Sequence, residues 1–478
     1  MKILSKNGNE VLFLAMKDDD QTPKGEYLLI EEDGRSMVVQ AYDEEYLSSQ
    51  ALTEDIVKEE IIRASSTENV YDPLNIGRIA KLIRDARIVK TKIRGYIAEG
   101  KLSSGGSWLP SRVDSTVRKL RTRELAQILG RTGIYPIPVG KSGDEPFEVF
   151  AEDLDGRLTI ITGKKESGKS HLSKVLVKTL VQYGATVIVF DLNNEYGGLA
   201  LNRDGSPSVV HDKIMVLEPG KKLAFSLNYC GKAAVSGILR NSLDTPPASL
   251  REFFRIWDWL ENKGSLGIDA LSNAVNTWNL NELVRDALVS RMHIIQASRL
   301  FTDSGSFRFE DAISSDGRAL VISMAEAPGV VRRIVVELVL GKIVDLLERK
   351  LISPIFLFAE EAHLYIRDTY WEDIITRMRH FGVYTTFVTN QPDAISDGIY
   401  RQVDNIFLFN FTNDNDLDKV ARISLVDSDT LKSIVRTLPQ RQCLAIGKAF
   451  SDLPIVLKVS PVEVMTLGET KRFFSRKS

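Results

Sequence analysis

Leu158-Thr159-Ile160-Ile161-Thr162-Gly163-Lys164-Lys165-Glu166-Ser167-Gly168-Lys169-Ser170 is the stretch from which the rest of the chain is read. Its first five residues are apolar or β-branched and predict a strand. From Lys169 to Tyr183 the apolar spacing is helical. Between strand and helix, Gly163–Ser170 fits G-x-x-x-x-G-K-[ST], a loop that cradles phosphates. Gly163 and Gly168 let the backbone wrap closely around a phosphate. The amides of Lys164, Lys165, Glu166 and Ser167, with the helix N-terminus behind them, direct positive charge at it. Lys169 is placed to reach the β- and γ-phosphates, and the Ser170 hydroxyl to bind Mg²⁺. The loop therefore calls for ATP and Mg²⁺.

Outward from this loop, short apolar runs alternate with longer helical ones. Strand candidates are Leu158–Thr162, Thr186–Asp191, Lys213–Leu217, Ala319–Met324, Ile355–Ala359, Tyr384–Thr389 and Asn405–Phe411. Thr186–Phe190 and Ile355–Ala359 are apolar without alternation, which suits strands buried on both faces. Helical periodicity marks Lys169–Tyr183, Val330–Arg349 and Trp371–Phe381. Such a sequence predicts an α/β fold with a parallel sheet between helices. Residues 229–312 break the rhythm. Trp257, Trp259, Leu260, Leu283, Val284, Leu288, Met292 and Ile295 sit there at helical spacing, which predicts a helical insertion with these side chains in its core.

Three further segments carry polar residues to strand ends. Ile355–Ala359 runs into Glu360 and Glu361. Glu360 is placed to hold Mg²⁺ through water and Glu361 to polarise the attacking water. Adjacent strand residues point to opposite faces, so both serve one site only if the strand turns there. Val187–Phe190 leads into Asp191-Leu192-Asn193-Asn194-Glu195-Tyr196. Asp191 and Glu195 are candidates for orienting water or magnesium, or else for capping a turn. Arg377-Met378-Arg379-His380-Phe381-Gly382-Val383 ends a helix and enters a strand that finishes at Thr389-Asn390-Gln391-Pro392. Asn390 can sense the γ-phosphate. Arg377 and Arg379 read either as arginine fingers or as a solvated face with Glu372 and Asp373.

The first 125 residues differ in kind. Val11–Met16, Tyr27–Ile30, Ser36–Val39 and Ile88–Ile97 are strand-like runs separated by turn signals such as Asp33-Gly34, which predicts a small all-β unit. Residues 51–68 look helical or irregular. Residues 1–75 carry 7 Lys/Arg against 17 Asp/Glu, and residues 76–125 carry 13 against 4. The chain's net charge of −2 is thus a sum of opposites, and excludes only a uniform polycation. The two stretches are expected to present a basic and an acidic face to different partners. At about 150 residues per domain, 478 residues allow roughly three domains. Cys230 and Cys443 make no metal spacing or disulfide framework. No run approaches the roughly 18 consecutive apolar residues of a membrane span. A cytoplasmic protein with no membrane partner is expected.

The P-loop, the D-x-x-x-E-Y of Asp191–Tyr196, Glu360-Glu361-Ala362-His363, and Arg379-His380-Phe381-Gly382-Val383 before a strand tip ending in Pro392 together resemble the HerA family of hexameric DNA translocases. The resemblance spans nearly the whole chain. It implies a RecA-like P-loop NTPase core with an N-terminal small β-barrel and an inserted helical bundle. It implies a barrel at 1–125, core at 126–228 and 313–460, a bundle at 229–312 and a tail at 461–478. It makes Lys169 and Ser170 the Walker A pair and Glu360 and Glu361 the Walker B pair. It singles out Arg379 as the finger acting in trans. The family's strand tip usually reads Ser-Gln-Arg-Pro, where this chain has Thr389-Asn390-Gln391-Pro392. The implied function is a homo-hexameric, ATP-driven translocase or helicase on double-stranded DNA, sequence-nonspecific, working with a NurA-type nuclease in end processing. A DNA-pumping ATPase of a virus, plasmid or conjugative element is one alternative. A nucleotide-gated assembly protein without motor activity is another.

Overall fold

The computed structural model describes residues 1–16, 19, 21–47, 85–313, 316–365, 379–422, 426–465 and 467. The chain forms two compact units. The smaller comprises Met1–Gly133, Gly140–Phe147 and Leu408–Lys458. The larger comprises Ile134–Val139, Glu148–Phe407 and Val459–Ser478.

Among the described residues, seven strands open the smaller unit: β1 (Lys2–Asn7), β2 (Glu10–Ala15), β3 (Tyr27–Glu32), β4 (Arg35–Tyr46), β5 (Arg87–Ala98), β6 (Lys101–Ser103) and β7 (Thr116–Lys119). They form one antiparallel sheet in the order β1-β2-β5-β4-β3-β7, with β6 on β5. Alternate residues face inward, as period-two patterning requires. Val11, Phe13 and Ala15 from β2, Met37, Val39 and Ala41 from β4, and Val89 and Ile93 from β5 pack into one core. Closure into a barrel needs the two edge strands to meet. Among the described residues β1 and β7 each pair on one side only, so the sheet is a half-barrel and not the closed barrel expected. Residues 51–68, read as helical or irregular, lie outside the described residues.

The expected separation of charge is also corrected. The register sets basic β5 between acidic segments of β2 and β4. Lys92 pairs with Glu10 at 2.7 Å, Lys90 with Glu45 at 2.7 Å, and Arg87 with Glu44 at 3.3 Å. Arg118 reaches Glu31 at 3.0 Å and Lys119 reaches Glu26 at 3.2 Å. Among the described residues, the basic and acidic strands therefore neutralise each other, the opposite-charge pairing that stabilises neighbours in a sheet.

After α1 (Thr122–Ile128), β8 (Pro136–Ser142) and β9 (Glu145–Phe150) lead to the strands of the larger unit: β10 (Thr159–Thr162), β11 (Thr186–Asp191), β12 (Ile214–Leu217), β13 (Arg318–Ser323), β14 (Ile355–Glu360) and β15 (Val383–Thr389). The last six form a parallel array in the order β12-β13-β11-β14-β15-β10. β11 is buried along its whole length and β14 everywhere but at half-buried Phe356, as their unbroken apolar runs predict. The α/β reading thus stands, with six of the seven strand candidates in this array. Between β10 and β11 lies α2 (Lys169–Gln182).

Between β12 and β13 the chain is helical: α3 (Leu227–Gly237), α4 (Pro247–Asn262), α5 (Ile268–Thr277), α6 (Glu282–Ala297) and α7 (Phe309–Ala312). α4, α5 and α6 pack on one another. Trp257, Leu260, Leu288, Met292 and Ile295 are buried as expected. Trp259 and Leu283 are not, at 40% and 79% exposure. Both fall outside the apolar stripe of their helices. Trp259 stands edge-on to Trp278 and carries Lys263 over its ring at 3.8 Å. α8 (Gly329–Glu348) precedes β14.

The smaller unit resumes at Leu408, within β16 (Asn405–Phe409), and continues with helices Asp414–Ala421 and Ser428–Thr437 and with the antiparallel pair β17 (Gln442–Gly447) and β18 (Ile455–Val459). This segment packs on the half-barrel through polar contacts as well as apolar ones. The Tyr27 hydroxyl and the Gln40 side-chain amide both donate to the Pro454 carbonyl, at 3.0 and 2.7 Å. Among the described residues, no helix is long and apolar enough to cross a membrane.

Candidate active site

Parallel strands present their C-terminal ends along one edge, and three neighbours bring the site together there. Thr162 at the end of β10 aligns with Thr389 at the end of β15, and Val388 aligns with Glu360 at the end of β14. The loop Gly163–Ser170, the tip Thr389–Asn390 and the pair Glu360–Glu361 therefore emerge side by side. Ligands of open α/β sheets bind at this edge.

The loop has the form its sequence predicts. Gly168 caps α2 with φ of 119°, a conformation that favours glycine. Lys164, Lys165 and Glu166 are exposed, whereas Gly163, Ser167, Gly168 and Lys169 are buried and Ser170 is half-buried. Lys169 Nζ donates to the carbonyls of Gly163 and Lys164, at 2.8 and 2.9 Å, folding the side chain back over the loop. Burial holds its ammonium below the usual lysine value, opposed by Glu361, Glu360 and Glu195. An arriving phosphate favours the charged form that burial disfavours.

β14 ends at Glu360, and Glu361 adopts a left-handed conformation with φ of 47° that starts the turn Ala362–Leu364. This is the turn that adjacent acids require if both are to reach one site. Glu360 is buried. Its Oε1 accepts a hydrogen bond from the Tyr196 hydroxyl and a longer one, 3.4 Å, from Ser173 Oγ. Burial, against the Tyr196 bond and with Glu195, Asp191 and Glu361 nearby, pushes its carboxyl up to about 8. Glu361 Oε2 is buried without a hydrogen-bond partner and lies 3.5 Å from His363 Nδ1. Burial keeps the His363 ring below its ordinary value, which favours the neutral form. The same nitrogen is 3.1 Å from Thr389 Oγ1.

Buried polar atoms without partners mark the space between these elements. They are Thr162 Oγ1, Ser167 Oγ, Glu361 Oε2 and Asn390 Oδ1. Native proteins rarely leave such atoms unpaired except where a ligand or water completes them. The donor set also fits magnesium. Mg²⁺ keeps several waters and binds through one or two protein oxygens together with phosphates. The Ser170 hydroxyl and the Glu360 carboxylate are hard oxygens of that kind.

The acids of the second strand are differently placed. Asp191 Oδ1 accepts from the amides of Asn193 and Glu195, at 3.2 and 3.1 Å, and Oδ2 accepts from that of Tyr196 at 2.9 Å. Burial raises its carboxyl above the usual range despite these bonds. Glu195 pairs with buried Lys174 at 2.7 Å. Arg379 lies at the other end of the sheet. It contacts Asp404 at 3.2 Å, and Asp404 in turn accepts from the Leu158 amide at 3.0 Å, where β10 begins. At about 3.3 Å per residue, the length of β10 separates Arg379 from its own P-loop by on the order of 15 Å. It is exposed. Arg377 and most of the helix Trp371–Phe381 lie outside the described residues.

Reasoning from motifs missed Ser173, Lys174, Tyr196 and His363 as parts of this site. Ser173 and Lys174 stand about one helical turn beyond Lys169, and that spacing is the signal that marks them.

Residues 161–343 match the family model described as "Helicase HerA, central domain". The match takes in the P-loop and the Asp191–Tyr196 motif, and ends before Glu360, Arg379 and Asn390. The chain is 24% identical over 400 residues to the "DNA double-strand break repair helicase HerA" of Saccharolobus solfataricus, covering 75% of each. In fold it is similar to the bacterial conjugative coupling protein TrwB, with a TM-score of 0.53 at 13% identity over 73% of this chain and 94% of that one. It is also similar to VirB4 of Thermoanaerobacter pseudethanolicus, at a TM-score of 0.52 and 14% identity over 69% and 98%. TrwB has been solved with an ATP analogue and with ADP and Mg²⁺.

Proposed function

From the premise that residues 161–343 carry a HerA central domain, we propose that this chain is a ring-forming ATPase that translocates double-stranded DNA. The convergence of Lys169, Glu360, Glu361 and Asn390 at one edge of the parallel sheet carries the reading. The loop amides and Lys169 bind the phosphates. Magnesium held by Ser170 and, through water, by Glu360 would offset the phosphate charge. Glu361 orients and polarises the attacking water, its buried oxygen being open to that contact. Asn390 reports the state of the γ-phosphate. Arg379, exposed and remote from its own P-loop, serves a neighbouring subunit, the arrangement of a finger acting in trans.

The finer parts of the reading follow from the HerA likeness. The ring is a homo-hexamer in the cytoplasm, α4–α6 form part of an inserted bundle, and a NurA-type nuclease docks on the half-barrel. DNA is gripped through its phosphates without reading of sequence. Electron microscopy with an ATPase assay tests the whole. Six-fold particles and turnover stimulated by linear duplex DNA are expected. A monomer with DNA-independent turnover overturns the proposal. Displacement of a third strand from triplex DNA separates a motor from a nucleotide-gated assembly protein, which hydrolyses ATP and leaves the triplex intact.

A further inference from the structure

The Asp191–Tyr196 segment has a role that its acids alone do not suggest. Among the described residues, every hydrogen bond to the Asp191 carboxylate comes from within the segment itself, from the amides of Asn193, Glu195 and Tyr196. Both carboxylate oxygens are engaged, and the side chain is buried. Glu195 is committed to Lys174 on α2. Tyr196 is fully buried and sends its hydroxyl to Glu360 Oε1, with Ser173 Oγ 2.7 Å away. Lys174 also lies over the Tyr196 ring, 6.0 Å from its centroid. The segment thus runs from the tip of β11 to the P-loop helix and on to the acid at the tip of β14.

We propose that Tyr196 is the positioning residue for Glu360, and that Asp191 and Glu195 serve to hold Tyr196 and touch neither metal nor water. The inference rests on the nucleotide-binding reading of the site and reassigns two of its acids. Both bonds to the Glu360 carboxylate arrive at Oε1, so Oε2 is the oxygen left for the hydrated cation. Removing the Tyr196 hydroxyl frees the carboxylate to rotate, and the cation loses a fixed acceptor. Groups that orient metal ligands typically cost roughly 10–100-fold in metal affinity when removed.

The test is nucleotide binding by the full chain, without DNA, followed with a fluorescent ATP analogue with and without Mg²⁺. Wild-type binding should tighten with Mg²⁺. Tyr196→Phe should keep the metal-free affinity, which belongs to Lys169 and the loop amides, and should need about 10-fold more Mg²⁺ for the tightening. Ser173→Ala, which removes the weaker bond, should shift the requirement in the same direction by less. Asp191→Asn keeps Oδ1 but replaces the acceptor for the Tyr196 amide. It should show the same Mg²⁺ shift, with turnover recovered at saturating Mg²⁺. A wild-type Mg²⁺ requirement in both Tyr196→Phe and Ser173→Ala overturns the inference. So does an Asp191→Asn protein whose turnover stays low at saturating Mg²⁺ with an unchanged Mg²⁺ requirement, since Asp191 would then act on the reacting water. Wild-type turnover indifferent to DNA breaks the translocase reading and leaves this inference standing. A wild type whose nucleotide binding ignores Mg²⁺ breaks both.

Discussion

β11 and β14 are hydrogen-bonded neighbours in one parallel sheet, and each delivers acids to the same edge. At the β11 tip both oxygens of Asp191 are engaged within the fold, and Glu195 is paired through Oε2. Asp191 takes three backbone amides and Glu195 a buried lysine. At the β14 tip the acids are less engaged. Glu360 is bonded at one oxygen, and Glu361 keeps a buried oxygen that no hydrogen bond reaches. The two tips share composition and location and differ in what satisfies them. Engaged acids build the turn that shapes the site, while acids with oxygens to spare are available to a cation, a water or a phosphate. A carboxylate at a sheet edge is therefore assigned by its partners and not by its position.

The largest effect that can break this contrast is on turnover. Glu361→Gln should lower ATP hydrolysis by roughly 100–10,000-fold while nucleotide still binds and the melting temperature stays put. Steady-state turnover beside a binding isotherm checks it, and near wild-type turnover would erase the distinction between the tips. The mirror experiment is at β11. Glu195→Gln leaves Lys174 buried without its counter-charge, so unfolding in urea should show a loss on the order of 3 kcal/mol. Turnover at saturating Mg²⁺, measured below the melting point, should remain within a few-fold of wild type. A stable Glu195→Gln protein with no turnover would move that acid into the chemistry.

Two smaller effects sharpen the picture, one just past the tip of β15 and one in the turn after β14. Asn390→Ala removes an amide whose oxygen is buried and unpaired. One hydrogen bond to a charged group corresponds to about a tenfold fall in turnover, with nucleotide affinity little changed, and an equal loss of both would make Asn390 a simple binding contact. His363 supplies a pH readout. Its neutral form is favoured in the fold, so the unfolded chain takes up the proton first as pH falls through the ordinary value of 6.5. Stability linked to His363 is present above that pH and is lost below it. His363→Gln should flatten the decline in melting temperature between about pH 7 and 5. An unchanged slope would assign the decline to other groups.

Much of this was legible in the chain. The loop Gly163–Ser170 was readable because a tight phosphate turn needs two glycines at set spacing, and the elements on either side follow from periodicity alone. The parallel sheet followed from apolar runs too uniform for a solvated face. The exposed Trp259 and Leu283 were misread, because helical spacing does not say how wide the buried stripe is. The acidic and basic stretches of the first 125 residues were read as separate faces, whereas Lys90 and Glu45, or Lys92 and Glu10, meet only through strand register. The half-barrel was likewise out of reach, since closure depends on whether β1 and β7 meet.

By itself, then, the amino-acid sequence determined the phosphate loop, the strand and helix alternation and the places where acids end strands, because each depends on residues within one turn or one strand. Only the tertiary structure decided that β10, β15 and β14 lie side by side, that Glu361 turns into the left-handed region, that Tyr196 reaches Glu360, and that Arg379 stands at the far end from its own P-loop. Those facts depend on strand order and on which buried polar groups find each other, and such pairings join residues far apart in the chain that no local pattern records.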